Sequence, residues 1–312
     1  MTGTARTMTA IARDLLAALP PGGRDHACYP FNGPVRTQWS YLPGARPGIS
    51  LSELGKTGRK AAHRLLATAL SRHAFAQAVT IMAFEEVLDL DEHGRLGRHS
   101  DGYHVAVFGD PGDDPWAWRF EGHHLSVSAT IVAGQPVVAP LFLGANPAQV
   151  RHDDQIVVAP LLREEQLARA IITALPPALR DEAVIAGAAP ADIVTRMAVT
   201  ADALRPAGIM ASRLPARQRG QLGQLLDIYL ERLAPDLASA ERQQITGDDV
   251  AFAWAGGLRA GDGHYYRVQA TGLLIEYDNT QRNANHAHTV LRRPGRDFGV
   301  SPLASHLAAG HS

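Results

Sequence analysis

Two stretches of strand-like text, about 103–143 and 250–291, each preceded by helical text, most constrain what this 312-residue chain can fold into. In the first, residues 103–108, 116–120 and 125–132 are rich in β-branched and aromatic side chains, and Gly134-Gln135-Pro136 turns the chain into 137–143. Runs of this kind closed by Gly and Pro read as an antiparallel meander. In the second, 250–254, 265–270, 273–277 and 287–291 are separated by Gly- or Asn-rich turns. Between and before them apolar residues recur at helical spacing. Ala61, Leu65, Leu66, Ala69 and Leu70 form one such set, and further helices are expected over about 74–88, 163–175, 180–186 and 216–233. Helices, strands, helices, strands without a steady βαβ alternation imply an α+β fold, with an antiparallel or mixed sheet built from both strand groups and packed with helices. The length permits one domain or two. One domain over 1–312, with a helical segment of about 1–95 packed on it, is the expectation; two lobes meeting near 160 are the alternative.

Charge and cysteine content narrow the partners. Thirty basic and 31 acidic residues leave a net charge of -1, with no block of like charges, so nucleic acid and acidic membrane surfaces lack an electrostatic footprint. A small-molecule substrate is the expected partner, and a homodimer is allowed. Cys28 is the single cysteine and cannot form an internal disulfide, which points to a cytoplasmic protein. Residues 1–20 read as a short amphipathic helix interrupted by Arg13 and Asp14, not as a signal peptide, and no run approaches the ~20 apolar residues of a membrane span.

The chemistry is carried by histidine. The chain has 14, roughly twice ordinary usage, and several fall within strand text. In His286-Ala287-His288 the period of two places both imidazoles on one strand face, about 7 Å apart at the backbone, from where both rings can reach one cation; two surface or hydrogen-bonded histidines are the plainer alternative. In Glu121-Gly122-His123-His124-Leu125, adjacent histidines on a strand point to opposite faces, so one metal ligand and one supporting residue are expected unless Gly122 distorts the strand. Leu273-Leu274-Ile275-Glu276-Tyr277-Asp278-Asn279 sets an acid after three apolar residues, where an unpaired carboxylate costs several kcal/mol, so Glu276 is expected to face a cation: the metal, or an arginine such as Arg292 or Arg293. A hairpin closed over 279–285 would bring Glu276 and Asp278 beside the two histidines, supplying the mixed His and carboxylate ligation of zinc or non-haem iron. Trp116, Trp118, Phe120, Trp254, Tyr265 and Tyr266 either line an apolar pocket beside that cluster or fill the core. Gly-x-Ser-x-Gly, the phosphate loop, the dinucleotide fingerprint, His-Glu-x-x-His and Cys-x-x-Cys are all absent, so no nucleotide cofactor is expected.

On these residues the chain resembles the family designated domain of unknown function 3500. The matching text is Trp116-Ala-Trp-Arg-Phe-Glu-Gly-His-His-Leu-Ser126, Phe142-Leu-Gly-Ala-Asn-Pro-Ala148, Leu274-Ile-Glu-Tyr-Asp-Asn-Thr-Gln281, Asn285-His-Ala-His-Thr-Val290 and Arg296-Asp-Phe-Gly299, with His306 and His311 resembling the family's ending. The resemblance implies that Glu121, His123, His124, Glu276, Asp278, Asn279, His286, His288 and Asp297 lie in the family's motif regions, and it brings no activity with it.

The sequence therefore leads to one divalent transition metal, zinc favoured over iron or copper, held by His286, His288 and His123 or His124. Glu276 or Glu121 is expected as general base, with Asp278, Asn279, Asp297, His306 and His311 supporting ligands or substrate. Metal-dependent hydrolysis of a small molecule is the expected reaction. A non-haem iron or copper oxidase and a non-catalytic ligand- or metal-binding protein are the alternatives.

Overall fold

A computed structural model describes residues 2–300 of the protein. The helices among them are α1 (Gly3–Ala17), α2 (Gly23–Ala27), α3 (Lys56–Ala69), α4 (Arg72–Asp91), α5 (Leu162–Thr173), α6 (Pro177–Ala183), α7 (Ala216–Leu230) and α8 (Pro235–Gln243). Capping fixes two of the starts: the Thr2 hydroxyl accepts from the Ala5 amide and the Ser71 hydroxyl from Ala74. In α1 the buried Ala5, Met8, Ala12, Leu15 and Leu16 recur every three to four residues, forming the stripe that docks the helix. α6 ends three residues before the helix expected over 180–186, because Val184 and Ile185 are β-branched and enter a strand.

The strands of the first half are β1 (Cys28–Tyr29), β2 (Ile49–Ser50), β3 (His104–Phe108), β4 (Trp116–Gly122), β5 (Leu125–Val132), β6 (Gln135–Ala145), β7 (Val150–His152) and β8 (Gln155–Val158). Those of the second are β9 (Val184–Ala186), β10 (Ile209–Met210), β11 (Ala251–Gly256), β12 (His264–Ala270), β13 (Leu273–Gln281) and β14 (His286–Arg292). Apart from the β7–β8 pair they form one 12-stranded mixed sheet in the order β1-β3-β4-β5-β6-β14-β13-β12-β11-β10, with β2 on β3 and β9 on β11. The expected α+β class holds, and the two strand groups meet where β6 pairs with β14, placing Gly144 opposite His288 and Phe142 opposite Val290.

The sheet has two unlike faces because its side chains alternate. One face carries Trp116, Trp118, Phe120, Val127, Leu143, Leu291, Ile275, Tyr266 and Trp254, which pack with α1, α3, α4, α5 and α7 into the main core. Five of the six aromatics considered for a pocket lie there as core; Tyr265 points the other way. The opposite face carries Arg119, Glu121, Ser126, His288, Glu276, Asp278, Tyr265 and Arg267 and is covered by irregular chain, residues 30–48 and 187–208. A small second core of Trp39, Tyr41, Phe142, Ile193, Val290 and Phe298 lies between sheet and cover.

Irregular chain on a buried surface brings amides that need acceptors. Two buried carboxylates provide them. Glu276, fully buried, accepts from the Val194 amide at 2.7 Å, the Thr195 amide at 3.1 Å, the Thr195 hydroxyl and the Tyr265 hydroxyl at 2.8 Å. Glu121 accepts from the Ser40 amide at 3.0 Å and the Ser126 hydroxyl at 2.9 Å, with Arg119 and Arg46 at 3.3 and 3.6 Å. The cation expected for Glu276 is thus replaced by neutral donors, and Arg292 pairs with Asp297 instead, at 2.7 Å.

Glu276→Gln exchanges one acceptor oxygen for an amide donor facing N–H or O–H groups, and is expected to destabilise the protein by about 2–4 kcal/mol. Urea unfolding monitored by circular dichroism measures this. A change within about 0.5 kcal/mol, the range of ordinary surface substitutions, would show that the cover does not hang on this carboxylate.

Candidate metal centre

The sequence text for His123 and His124 folds differently from the strand expected. β4 and β5 pair through Gly122 opposite Leu125, so the two histidines are the turn residues of a hairpin, and His124 adopts φ +62°. Strand alternation no longer applies, and the rings lie together, 3.7 Å between centroids. Backbone contacts hold the turn: the His124 amide donates to the Tyr41 carbonyl at 3.0 Å, the Gly144 amide to the His124 carbonyl at 2.7 Å, and the Tyr103 hydroxyl to the His123 carbonyl at 2.8 Å. Gly144 is required beneath the ring, since a Cβ there would stand 2.8 Å from His124 Cδ2.

His286 and His288 share one face of β14 as the period of two requires. Their Nε2 atoms are 2.9 Å apart, and His286 Nε2 lies 2.8 Å from His124 Nε2. Three imidazole nitrogens from two hairpins and one sheet therefore converge, and this cluster can hold a metal ion. His124 and His288 are 2% and 3% exposed. Burial, reinforced by the neighbouring imidazoles, pushes His124 far below the ordinary histidine range and His286 down to about 3, so both are neutral at pH 7 and offer lone pairs.

An irregular-segment residue completes the geometry. Asp192 Oδ1 lies 2.7 Å from His288 Nδ1, and the Tyr41 hydroxyl donates to Asp192 Oδ2 at 2.8 Å. With its Nδ1 beside Asp192, His288 directs Nε2 toward the other two rings, the carboxylate–histidine arrangement of metal sites. One proton on His286 Nε2 serves at best one of its two nitrogen neighbours well; a cation among the three serves all. Tetrahedral zinc at 2.0–2.1 Å separates ligand nitrogens by about 3.3 Å, so loading requires the rings to part by about 0.5 Å.

His123 belongs to a second group with Glu85 and His124. Its Nδ1 lies 2.6 Å from Glu85 Oε1, and Arg98 Nη1 lies 3.1 Å from the same nitrogen and 3.5 Å from Glu85 Oε2. A guanidinium already stands where a second cation would.

The remaining candidates fall around this centre in different ways. Asp278 lies directly across the β13–β14 ladder from His288; its Oδ1 accepts from the Thr280 amide and hydroxyl, while buried Oδ2 has no partner among the described residues, and burial pushes its pKa up to about 6. Glu276 and Glu121 are absent from both ligand groups and are committed to the cover, as described above. Asn279 accepts from the His264 amide at 2.8 Å, and Asp297 from Arg292 and the Arg293 amide; neither belongs to the cluster. His306 and His311 lie outside the described residues.

Asp192, Tyr41, Glu85 and Arg98 join the site without a motif to announce them. Glu85 left a trace: it falls on the same face of α4 as the buried Ala78, Ile81, Met82 and Leu88, an acid in an apolar stripe. Asp192, in Ala189-Pro190-Ala191-Asp192, has no periodic context to mark it.

Asp192→Asn is expected to weaken zinc binding by about 10–100-fold, as removal of such outer partners does, and Tyr41→Phe by less; competition with a chromophoric chelator measures both. Unchanged affinity in Asp192→Asn would mean that the carboxylate does not orient the ligand. A second expectation concerns the metal-free protein. His286 and His264, the latter buried beside Arg169, both titrate near 3 in the fold and near 6.5 when unfolded. Below pH 6.5 the unfolded chain binds protons that the fold refuses, so stability is full above that pH and declines toward about 3. Asp278, raised from 3.8 to about 6, acts in the opposite sense over a narrower window. Urea midpoints should fall from pH 7 to pH 5, and His264→Gln should flatten the fall; a midpoint constant or rising toward pH 5 contradicts this.

A family model described as "Protein of unknown function (DUF3500)" matches residues 2–300, nearly the whole chain. Searches of curated proteins and of solved structures return no significant match.

Proposed function

The chain belongs to the DUF3500 family, a membership that supplies no reaction, and from the site alone we propose a metal-dependent enzyme that hydrolyses a small molecule. The observation that carries this reading is the convergence of His124, His286 and His288 Nε2, with His288 oriented by Asp192. Three imidazoles and no carboxylate form the ligand group, a set that suits hydrolytic zinc better than the two-histidine, one-carboxylate set of non-haem iron. Zinc bound there would act as a Lewis acid and lower the pKa of a coordinated water toward 7.

The protein's own groups have separate tasks. His124 rests on a fixed turn over Gly144, and His286 and His288 rest on a central strand, so the ligands are positioned by rigid elements. Asp278 keeps one oxygen free of donors across from His288, and we assign it the proton from the attacking water in place of Glu276 or Glu121. No described helix is long and apolar enough to cross a membrane.

The test is turnover of a panel of small esters, amides, lactones and phosphoesters by zinc-loaded protein without oxygen. Hydrolysis is expected under those conditions, with His286→Ala abolishing both metal binding and turnover and Asp278→Asn abolishing turnover while retaining metal. Turnover confined to iron- or copper-loaded protein in the presence of oxygen would replace this reading with an oxidase. Metal binding without turnover under any condition would replace it with a binding protein.

A further inference from the structure

Next to His123 a glutamate carboxylate sits between two arginines. Glu92 Oε2 is 2.6 Å from Arg98 Nε and Glu92 Oε1 is 3.1 Å from Arg98 Nη2, a two-point fork, and Arg282 Nη2 reaches Oε1 at 3.4 Å. His123 and His286, the partly exposed histidines, adjoin this group: Arg98 touches His123, and Arg282 is four residues ahead of His286 on the β13–β14 turn. Two arginines against one carboxylate beside the histidine cluster make a receptor for a planar oxyanion, the geometry that guanidinium matches and an ammonium does not.

Arg98 is the fixed arginine of the two; the Arg282 side chain is 47% exposed and the Glu92 side chain 13%. Arg98 is 10% exposed and fixed on its other edge by His123 and Glu85, with its own amide on Asp89 Oδ1 at 3.2 Å. Glu92 is the residue that ends α4; left-handed His93 and Gly94 follow it in an exposed segment, and its carboxylate is hydrogen-bonded to these arginines alone among the described residues. A cavity of about 270 Å³, slightly below the roughly 300–1,000 Å³ of sites for drug-sized ligands, is bordered by Arg98, His123, Glu85, Arg46 and Leu96, and Arg98 is the one member of the fork that lines it. We propose that the centre acts on a small substrate bearing a carboxylate, which binds Arg98 and Arg282 in place of Glu92, so that Glu92 is an internal stand-in masking the seat. This assignment of substrate class rests on the hydrolase reading above.

The experiment is calorimetric titration of zinc-loaded full-length protein with N-acetylglycine and, as the uncharged counterpart, N-acetylglycinamide. A seat filled by its own glutamate nine-tenths of the time loses about tenfold in apparent affinity, so Glu92→Gln should bind N-acetylglycine about tenfold or more tighter than wild type, with Glu92→Asp between them. Adding Arg98→Met or Arg282→Met to Glu92→Gln should remove the gain, and N-acetylglycinamide should not bind. Equal affinity in wild type and Glu92→Gln, or equal binding of acid and amide, overturns the proposal. Zinc content of the same samples separates the two readings: a Glu92→Gln gain in protein that takes up no zinc overturns the metal centre and leaves the carboxylate seat standing.

Discussion

The structure depends on covering one face of a large sheet without α-helices. Helices occupy the apolar face, where Trp116, Trp118, Phe120, Tyr266 and Trp254 form the core. The other face is buried beneath two irregular segments, and the amides of Ser40, Val194 and Thr195 find their acceptors on the sheet. Glu276 and Glu121 act as fixed acceptors for those amides, four donors converging on Glu276 alone. A buried charge is costly unless its lone pairs are filled, and here the filling and the cover are the same hydrogen bonds.

The candidate metal centre lies where the two covers meet. Tyr41 comes from the first, Asp192 from the second, and their hydrogen bond ends on His288 of the central strand β14. Trp39 Nε1 donating to the Ala198 carbonyl at 3.3 Å ties the same two segments a little further along. The cluster thus combines rigid ligands, carried on a tight turn and a central strand, with an orienting carboxylate carried on irregular chain that Glu276, Arg292 and Gln269 hold to the sheet.

The α+β class and the pairing of His286 with His288 were legible because a strand period of two and a run of β-branched residues are local signals. The turn at His123 and His124 was not, because a hairpin reversing at Gly122 and Leu125 is indistinguishable in text from a strand running through them; only the pairing shows that both rings fall together. Glu276 was legible as a buried acid, but not its partners. An acid after three apolar residues demands donors without saying whether an arginine or a backbone 80 residues away supplies them. Asp192 was invisible for the same reason: its role is set by long-range contact with His288 and Tyr41, and the surrounding Ala and Pro have no pattern. The motif regions of the family resemblance, by contrast, coincide with the turn, the Gly144 contact and the β13–β14 hairpin, where sequence and geometry constrain each other.

Whether His124, His286 and His288 form a metal centre is answered by elemental mass spectrometry of untagged protein beside the His286→Ala/His288→Ala variant. About one equivalent of a transition metal, zinc foremost, in the wild type and none in the variant is the predicted result. No metal in either protein, with no uptake on reconstitution of the wild type, would contradict it and leave the three imidazoles as a buried polar cluster of another purpose.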